Sequence, residues 1–297
     1  MFISYSSMKA VFRVILSVFL FVGSVNTMAQ NDLDKQGSTK KQPQRIHSSK
    51  LLREKLSLSI GSYFSHGEYN VDKTTEIFSV PLRIGYSRDE WSVSAQMPYL
   101  HISGPARVIA VSDGAEVIET KAEGNRQRWG NGDLRLNVQY QLPIFFKSKA
   151  RAHIGSTIKA PIASEKDDLG SGEFDYSVFS GGYLRFGRWV SNGRIGYQFM
   201  GDTQETQYNS RWYASLGGYY LFNRAYSMGL STYFKQAATE TSESIRTVST
   251  YLNWRLPKGW RCNFSIGTGF SESSADLFGG FQVTKSFVRK RRIAASH

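Results

Sequence analysis

The chain has 297 residues, 40% hydrophobic and 14% aromatic, with 27 Gly, 7 Pro and one Cys. One Cys excludes a disulfide framework or a multi-cysteine metal site, and a mean hydropathy of −0.36 excludes a bundle of transmembrane helices, each of which needs about 20 apolar residues. The formal charge of +13 gathers in the flanks: +2 in residues 1–29, +3 in 30–50 and +4 in 288–297. No basic stripe interleaved with aromatics lies between them, so nucleic acid is not an expected partner.

Lys9 and Arg13 precede the apolar run Val14–Gly23, and Thr27-Met28-Ala29 follows. A positive start, an apolar stretch of about ten residues and a small-x-small site predict a cleaved export signal over 1–29; an uncleaved anchor would need a longer run. Residues 30–50 are rich in Lys, Gln, Asn and Ser and hold few large apolar groups. Such a segment cannot offset its ordering entropy, so it is expected to be a disordered periplasmic leader.

From residue 51 the period is two. Phe78, Val80, Leu82, Ile84 and Tyr86 alternate with Ser79, Pro81, Arg83, Gly85 and Ser87. Leu134, Leu136, Val138, Tyr140 and Leu142 alternate with Asp133, Arg135, Asn137, Gln139 and Gln141. That is the pattern of strands with one apolar and one polar face. Such segments fall at 54–66, 75–88, 90–104, 132–143, 150–163, 173–186, 189–200, 207–222, 225–237, 245–256, 260–271 and 276–287.

Short turns follow the even segments, and connections that are mostly longer and more polar follow the odd ones. Trp91, Trp189, Trp254 and Trp260, with Tyr86, Phe145, Phe186, Phe222 and Tyr226, cluster at the short-turn ends. Phe64, Tyr99, Phe174, Tyr176, Tyr208, Trp212, Phe234 and Phe270 cluster at the other ends. Even count, unequal connections and two aromatic girdles predict an all-β fold: a transmembrane antiparallel up-and-down β-barrel of about 12 strands, both termini periplasmic, in the cell outer membrane. The barrel spans 51–287, and 288–297 form a basic C-terminal tail. A soluble β-sandwich would explain the alternation but not the girdles.

With the apolar set toward lipid, the interior receives Arg83, Arg135, Lys159, Arg185, Arg194, Arg211, Lys235, Arg255 and Arg261, against Asp133 and Asp175. His153, Asn137, Gln139, Gln198, Asn253, Tyr183, Tyr219 and Tyr251 join them. One reading is a pore or pocket for small anionic, polar or aromatic solutes. The other is that the Arg side chains brace the wall through hydrogen bonds. Lys285 falls on the outward register near an interface, where it can snorkel. In loop 105–131, Asp113-Gly114 between β-prone runs predicts a hairpin that either extends the wall or folds over the mouth.

Trp129-Gly130-Asn131-Gly132-Asp133 followed by LRLNVQY is similar to a G-x-G-D-x-x-L-x-x-x-Y strand opening. Lys159-Ala160-Pro161, then Leu169-Gly170-Ser171-Gly172 and Phe174-Asp175-Tyr176, resembles a K-x-P-T-G…L-G-x-G-x-x-D-Y pattern. Over residues 129–200 the chain thus resembles the outer-membrane β-barrel family of meta-pathway phenol-degradation, transporter-like proteins of Gram-negative bacteria. Ile162 and Ala163 stand where that family has Thr-Gly. The resemblance implies a barrel and solute passage, and Asp133 and Asp175 are expected to pair with interior Arg.

Two alternatives differ in class. Ser191-Asn192-Gly193-Arg194 resembles part of an outer-membrane phospholipase motif, but Trp189 occupies the place of that motif's His, and a serine nucleophile needs an adjacent base. The other is a structural or surface-binding barrel. No Walker loop, zinc signature, EF-hand or dinucleotide fingerprint is present, so no enzyme activity, metal or cofactor is expected.

Overall fold

The computed structural model describes residues 51–292 except 70–72, 106, 112–114, 119–126, 144–148, 165–166, 168 and 203–206. The export signal and leader read over 1–50 lie outside the described residues. The strands are β1 (Leu51–Gly67), β2 (Thr75–Arg88), β3 (Trp91–Ser103), β4 (Arg107–Val111), β5 (Ala115–Ile118), β6 (Gln127–Asn131), β7 (Leu134–Gln141) and β8 (Ala150–Ala160). They continue as β9 (Asp175–Phe186), β10 (Trp189–Phe199), β11 (Arg211–Leu221), β12 (Tyr226–Lys235), β13 (Ile245–Arg255), β14 (Trp260–Gly269) and β15 (Leu277–Arg292). Among the described residues no helix is long and apolar enough to cross a membrane.

All but β4 and β5 form one 13-stranded antiparallel sheet, closed by pairing of β1 with β15. β6 and β7 share one place in the wall, both pairing with β3, so the barrel has 12 wall positions. Between them the register slips: Tyr99 faces Asn131 while Gln96 faces Arg135, so Gly132-Asp133-Leu134 oppose only Met97-Pro98. This is a β-bulge, the device that re-aims a side chain within a ladder. Traced once round the wall, the pairings return to β1 about 14 residues further along it, a stagger that tilts the strands by roughly 40°.

Two connections are minimal hairpins. Asp89-Glu90 joins Arg88 to Trp91, and Gly187-Arg188 joins Phe186 to Trp189. Asp89 and Gly187 take φ of 51° and 61°, the left-handed backbone that lets a two-residue turn follow the twist of its strands.

The predicted alternation holds around the wall. Leu58, Ile60, Leu82, Ile84, Val93, Leu136, Ile154, Ile195, Leu216, Leu230 and Ile266 are exposed on the outside. Ser59, Arg83, Gln139, His153, Asn192, Ser231, Asn253 and Gln282 face inward and are buried or half-buried. The girdles form as ring pairs at the short-turn end: Trp91–Tyr140 at 4.8 Å, Trp189–Tyr220 at 5.0 Å and Tyr226–Trp254 at 5.8 Å. Lys285 reaches down this rim, donating to the Lys258 carbonyl at 2.7 Å and lying 4.9 Å from the Trp260 ring. At the other end Tyr197 packs on Trp212 at 5.0 Å, and Phe174 stacks on Tyr176.

Four details differ from the sequence reading. Tyr208 does not join the long-loop girdle; it is buried with Ala238 and Met200. Gln127–Asn131, read as loop, is the wall strand β6, because its partner β3 extends that far. The hairpin expected in 105–131 exists as β4–β5 but forms a two-stranded sheet of its own rather than extending the wall; its Asp113-Gly114 turn lies outside the described residues. β15 runs past Phe287 to Arg292, which pairs with Leu51.

Leu230, 62% exposed at the middle of β12, tests the outward face. Leu230→Arg is expected to cost about 2–4 kcal/mol of stability in a bilayer. Ser231→Arg, on the opposite face, is expected to be tolerated better. Urea titrations of the two variants refolded into vesicles measure the difference.

Candidate functional site

The interior is the candidate site, and the hydrogen-bonded register dictates which of its side chains are neighbours. One row of directly paired inward residues runs from the short-turn rim to the long-loop mouth: Arg255, Arg261, Thr284, Ser59, Arg83, Gln96, Arg135, Lys159 and Asp175. It climbs because the strands are tilted. Ser59 and Thr284 hydroxyls bond at 2.9 Å, and Arg83 donates to Ser94 at 2.9 Å, so the row is tied into the wall between its cations.

At the long-loop end the row closes on a buried ion cluster. Lys159 Nζ lies 3.0 Å from Asp175 Oδ2 and 3.5 Å from Asp133 Oδ2, with all three side chains at most 5% exposed. Lys159 also donates to the Ser171 hydroxyl, Gln198 Nε2 to Asp175 at 3.2 Å, and the backbone N–H groups of Ala163 and Gly201 to Asp133 and Asp175. The partner of both aspartates is thus Lys159, not the interior Arg expected for them. The bulge at Gly132-Asp133 accounts for this: it turns Asp133 toward the neighbouring strand's Lys159.

These bonds hold Ala163 and Ser171, in the connection after β8, against the cluster. Leu169 is buried over Gly130, where a Cβ would come within 2.6 Å of Leu169 Cδ1, and Gly170 rests against the Asp133 carboxylate. Leu169 then joins Tyr63, Tyr69, Ile77, Leu100, Ile102, Ala275 and Phe278 in an apolar cluster. Most of these sit on inward register near the long-loop ends of β1, β2, β3 and β15. Residues there can be this deeply buried only if that side of the mouth is filled. Tyr69, in the connection after β1, donates to Ser65 at 2.6 Å, and burial pushes its phenol pKa up.

The other expected residues divide between the long-loop end, the middle and the short-turn end. Arg194 lies 4.3 Å over the Phe179 ring, whose edge meets His153. Arg211, 1% exposed, faces Gln198 across β10–β11. At the short-turn end Arg185, Arg255 and Arg261 lie within electrostatic range of Tyr219, which packs edge-on to Tyr251. Gly229 makes room for that ring pair, since a Cβ there would meet both tyrosines at 2.6–2.7 Å. The expected residues therefore form no single constellation; they are strung along the axis.

Sequence reasoning missed Lys55, Arg128 and Arg151, all on inward register. Lys55 and Arg151 lie in period with Ser57 and His153, so the alternation contains them. Arg128, which donates to the Gly104 carbonyl at 3.0 Å, lay in a segment read as loop. Ser191, of the hydrolase alternative, faces outward in a groove of about 520 Å³ beside Ser180, Leu184, Ile195 and Leu216. The described outward histidines, His66 and His101, stand on β1 and β3, which do not adjoin β10, so neither is a base for it. No group of three His, Cys, Asp or Glu able to hold a metal occurs among the described residues.

No protein-family model matches the chain, including over the motif resemblance at 129–200. No curated protein matches it either. Among solved structures it is similar to the COG4313 outer membrane channel from Pseudomonas putida F1, at 11% identity and a TM-score of 0.54 over 85% of this chain and 100% of that one. The KdgM porin aligns at 11% identity and a TM-score of 0.46 over 80% and 99%, and the CymD monoaromatic hydrocarbon channel at 11% and 0.41 over 95% and 99%. At such identities the likeness is one of fold, and it rests on the first of these. The chain has the closed antiparallel barrel of outer-membrane channels.

Removing one partner of a buried ion cluster leaves uncompensated charge. Lys159→Met is expected to lower stability by about 3–5 kcal/mol, and Lys159→Met/Asp133→Asn/Asp175→Asn to recover much of it. Unfolding midpoints in detergent measure both, and proteolytic nicking within 161–174 should rise in the single variant.

Proposed function

We propose that the protein is an outer-membrane channel that passes small polar or anionic solutes, aromatic ones included, through a basic interior. The observation that carries this reading is the imbalance of inward charge. Asp133 and Asp175 are engaged at Lys159. Lys55, Arg83, Arg135, Arg151, Arg185, Arg194, Arg255 and Arg261 occupy inward register from the middle of the wall to the short-turn end, and no inward carboxylate stands among the described residues there. Cations lining a low-dielectric passage lower the barrier for anions and raise it for cations. The arginines among them are half-buried.

The same proposal places the outward apolar face in outer-membrane lipid, the short-turn end and both termini on the periplasmic side, and residues 1–29 in a signal removed on export. The barrel-wide rows of Ser, Thr and Gln between cations support passage rather than a solid brace, since short side chains leave space that a packed core would fill.

Conductance of purified protein in a planar bilayer under a salt gradient tests the reading. The reversal potential is expected to show anion preference, reduced several-fold in Arg83→Gln/Arg135→Gln. Cation preference, or a folded barrel that carries no current, would overturn it.

A further inference from the structure

We infer that the outer surface of β14 and β15 at the short-turn end binds the phosphate of an anionic phospholipid, through Lys258 and Lys285 beside the Trp260 and Phe287 rings. The inference rests on the proposed placement of the outward face in lipid and is independent of what the interior conducts.

Lys285 pairs with Trp260 on β14 and with Leu58 on β1, and both partners are exposed on the outside of the wall. A lysine so placed ordinarily extends its ammonium past the apolar band into water. This one is held in position. Its Nζ donates to the Lys258 carbonyl at 2.7 Å, 4.9 Å from the Trp260 ring and 5.5 Å from the Phe287 ring. The carbonyl takes one of three N–H donors and the rings offer only their faces, so the group can still donate to an anion. The turn that presents the carbonyl is costly in itself. Lys258 and Gly259 take φ of 58° and 81°, and a lysine in left-handed backbone gives up stability. Lys258 is exposed, so a second cation leaves the wall from the very residue to which Lys285 is bonded. A phosphate shared by the two ammonium groups would offset both the strain and their repulsion.

The class of ligand is read from charge and depth. Arg289, exposed on the same face of β15, continues the basic column, and Glu54 opposite it lies 4.0 Å from Arg88. Among the described residues no carboxylate forms an ion pair with Lys258, Lys285 or Arg289. The exposed acids next to these strands, Glu68, Glu240, Glu243, Glu272 and Asp276, all lie at the opposite, long-loop end. Aromatic rings of a girdle sit at the level of lipid headgroups, which is the level of lipid phosphate. Acyl chains from that phosphate would run along the exposed Leu56 and Leu58 beside it. Dissolved phosphate gains nothing from that apolar wall. A zwitterionic headgroup brings its own ammonium against the lysines, so a net negative headgroup is the better fit.

Native mass spectrometry of the purified protein in detergent, offered equal amounts of phosphatidylglycerol and phosphatidylethanolamine, tests this without depending on conduction. Adducts of phosphatidylglycerol are expected to exceed those of phosphatidylethanolamine about fivefold. Lys258→Gln/Lys285→Gln is expected to bring the two lipids close to parity. Arg188→Gln/Arg224→Gln, which removes the same charge from two other exposed short-turn residues, is expected to leave the preference unchanged. Lys258→Asn suits left-handed backbone, so it keeps the fold and is expected to lose part of the preference. Heat-modifiable migration on gels verifies that each variant is folded. Equal adducts of the two lipids on the unaltered protein, or full preference in the folded lysine variants, would overturn the site. An equal loss in Arg188→Gln/Arg224→Gln would overturn it too, since net charge would then be the cause. Flotation with vesicles separates this from the reading it rests on: a folded barrel that does not insert removes the lipid placement, whereas one that inserts without preference removes the site alone.

Discussion

Every structural feature here descends from the closure of one antiparallel sheet, which leaves the wall no free edge of unpaired backbone groups. An open sheet would expose an edge of unpaired N–H and C=O groups, each costing several kcal/mol in lipid. The pairing of β1 with β15 removes that edge. Closure in turn creates an inside and an outside, and the two-residue period of a strand delivers alternate side chains to each. A one-residue slip anywhere would exchange the two faces of that strand, putting Arg or Asn outside and Leu or Ile inside. The register is held by that penalty more than by any single contact.

The bulge at Gly132-Asp133 shows how a local departure from the ladder acts at a distance. It places Asp133 against Lys159, and Lys159 gathers Asp175 and Ser171 with it. Leu169, two residues before Ser171, thereby completes an apolar cluster at the mouth. Asp133 and Asp175, the two inward carboxylates among the described wall residues, both take part in this arrangement.

The interior is graded rather than uniform. The mouth is fixed by packing and buried ion pairs, the middle by cation–ring contacts such as Arg194 on Phe179, and the short-turn rim by opposed arginines beside tyrosines.

Much of this was legible in the residues. The alternation in 75–88 and 134–142, the aromatic clusters at the short turns and the inward register of Arg83, Arg135, Lys159, Arg194, Arg255 and Arg261 all follow from period two, which is a property of a single strand. Lys55 and Arg151 were legible by the same rule and were missed. Arg128 and β6 were not, because their strand character comes from pairing with the upper part of β3. Nor were the Lys159 cluster, the burial of Leu169 and of Tyr208 or the opposition of Arg255 to Arg261. Each depends on stagger between strands, and stagger is a relation between segments distant in sequence. The amino-acid sequence by itself determined which face of each strand lies outside the barrel, because that face is set by local alternation and side-chain hydropathy. Only the tertiary structure decided which inward residues meet one another, because closing a tilted barrel sets the relative register of all its strands at once.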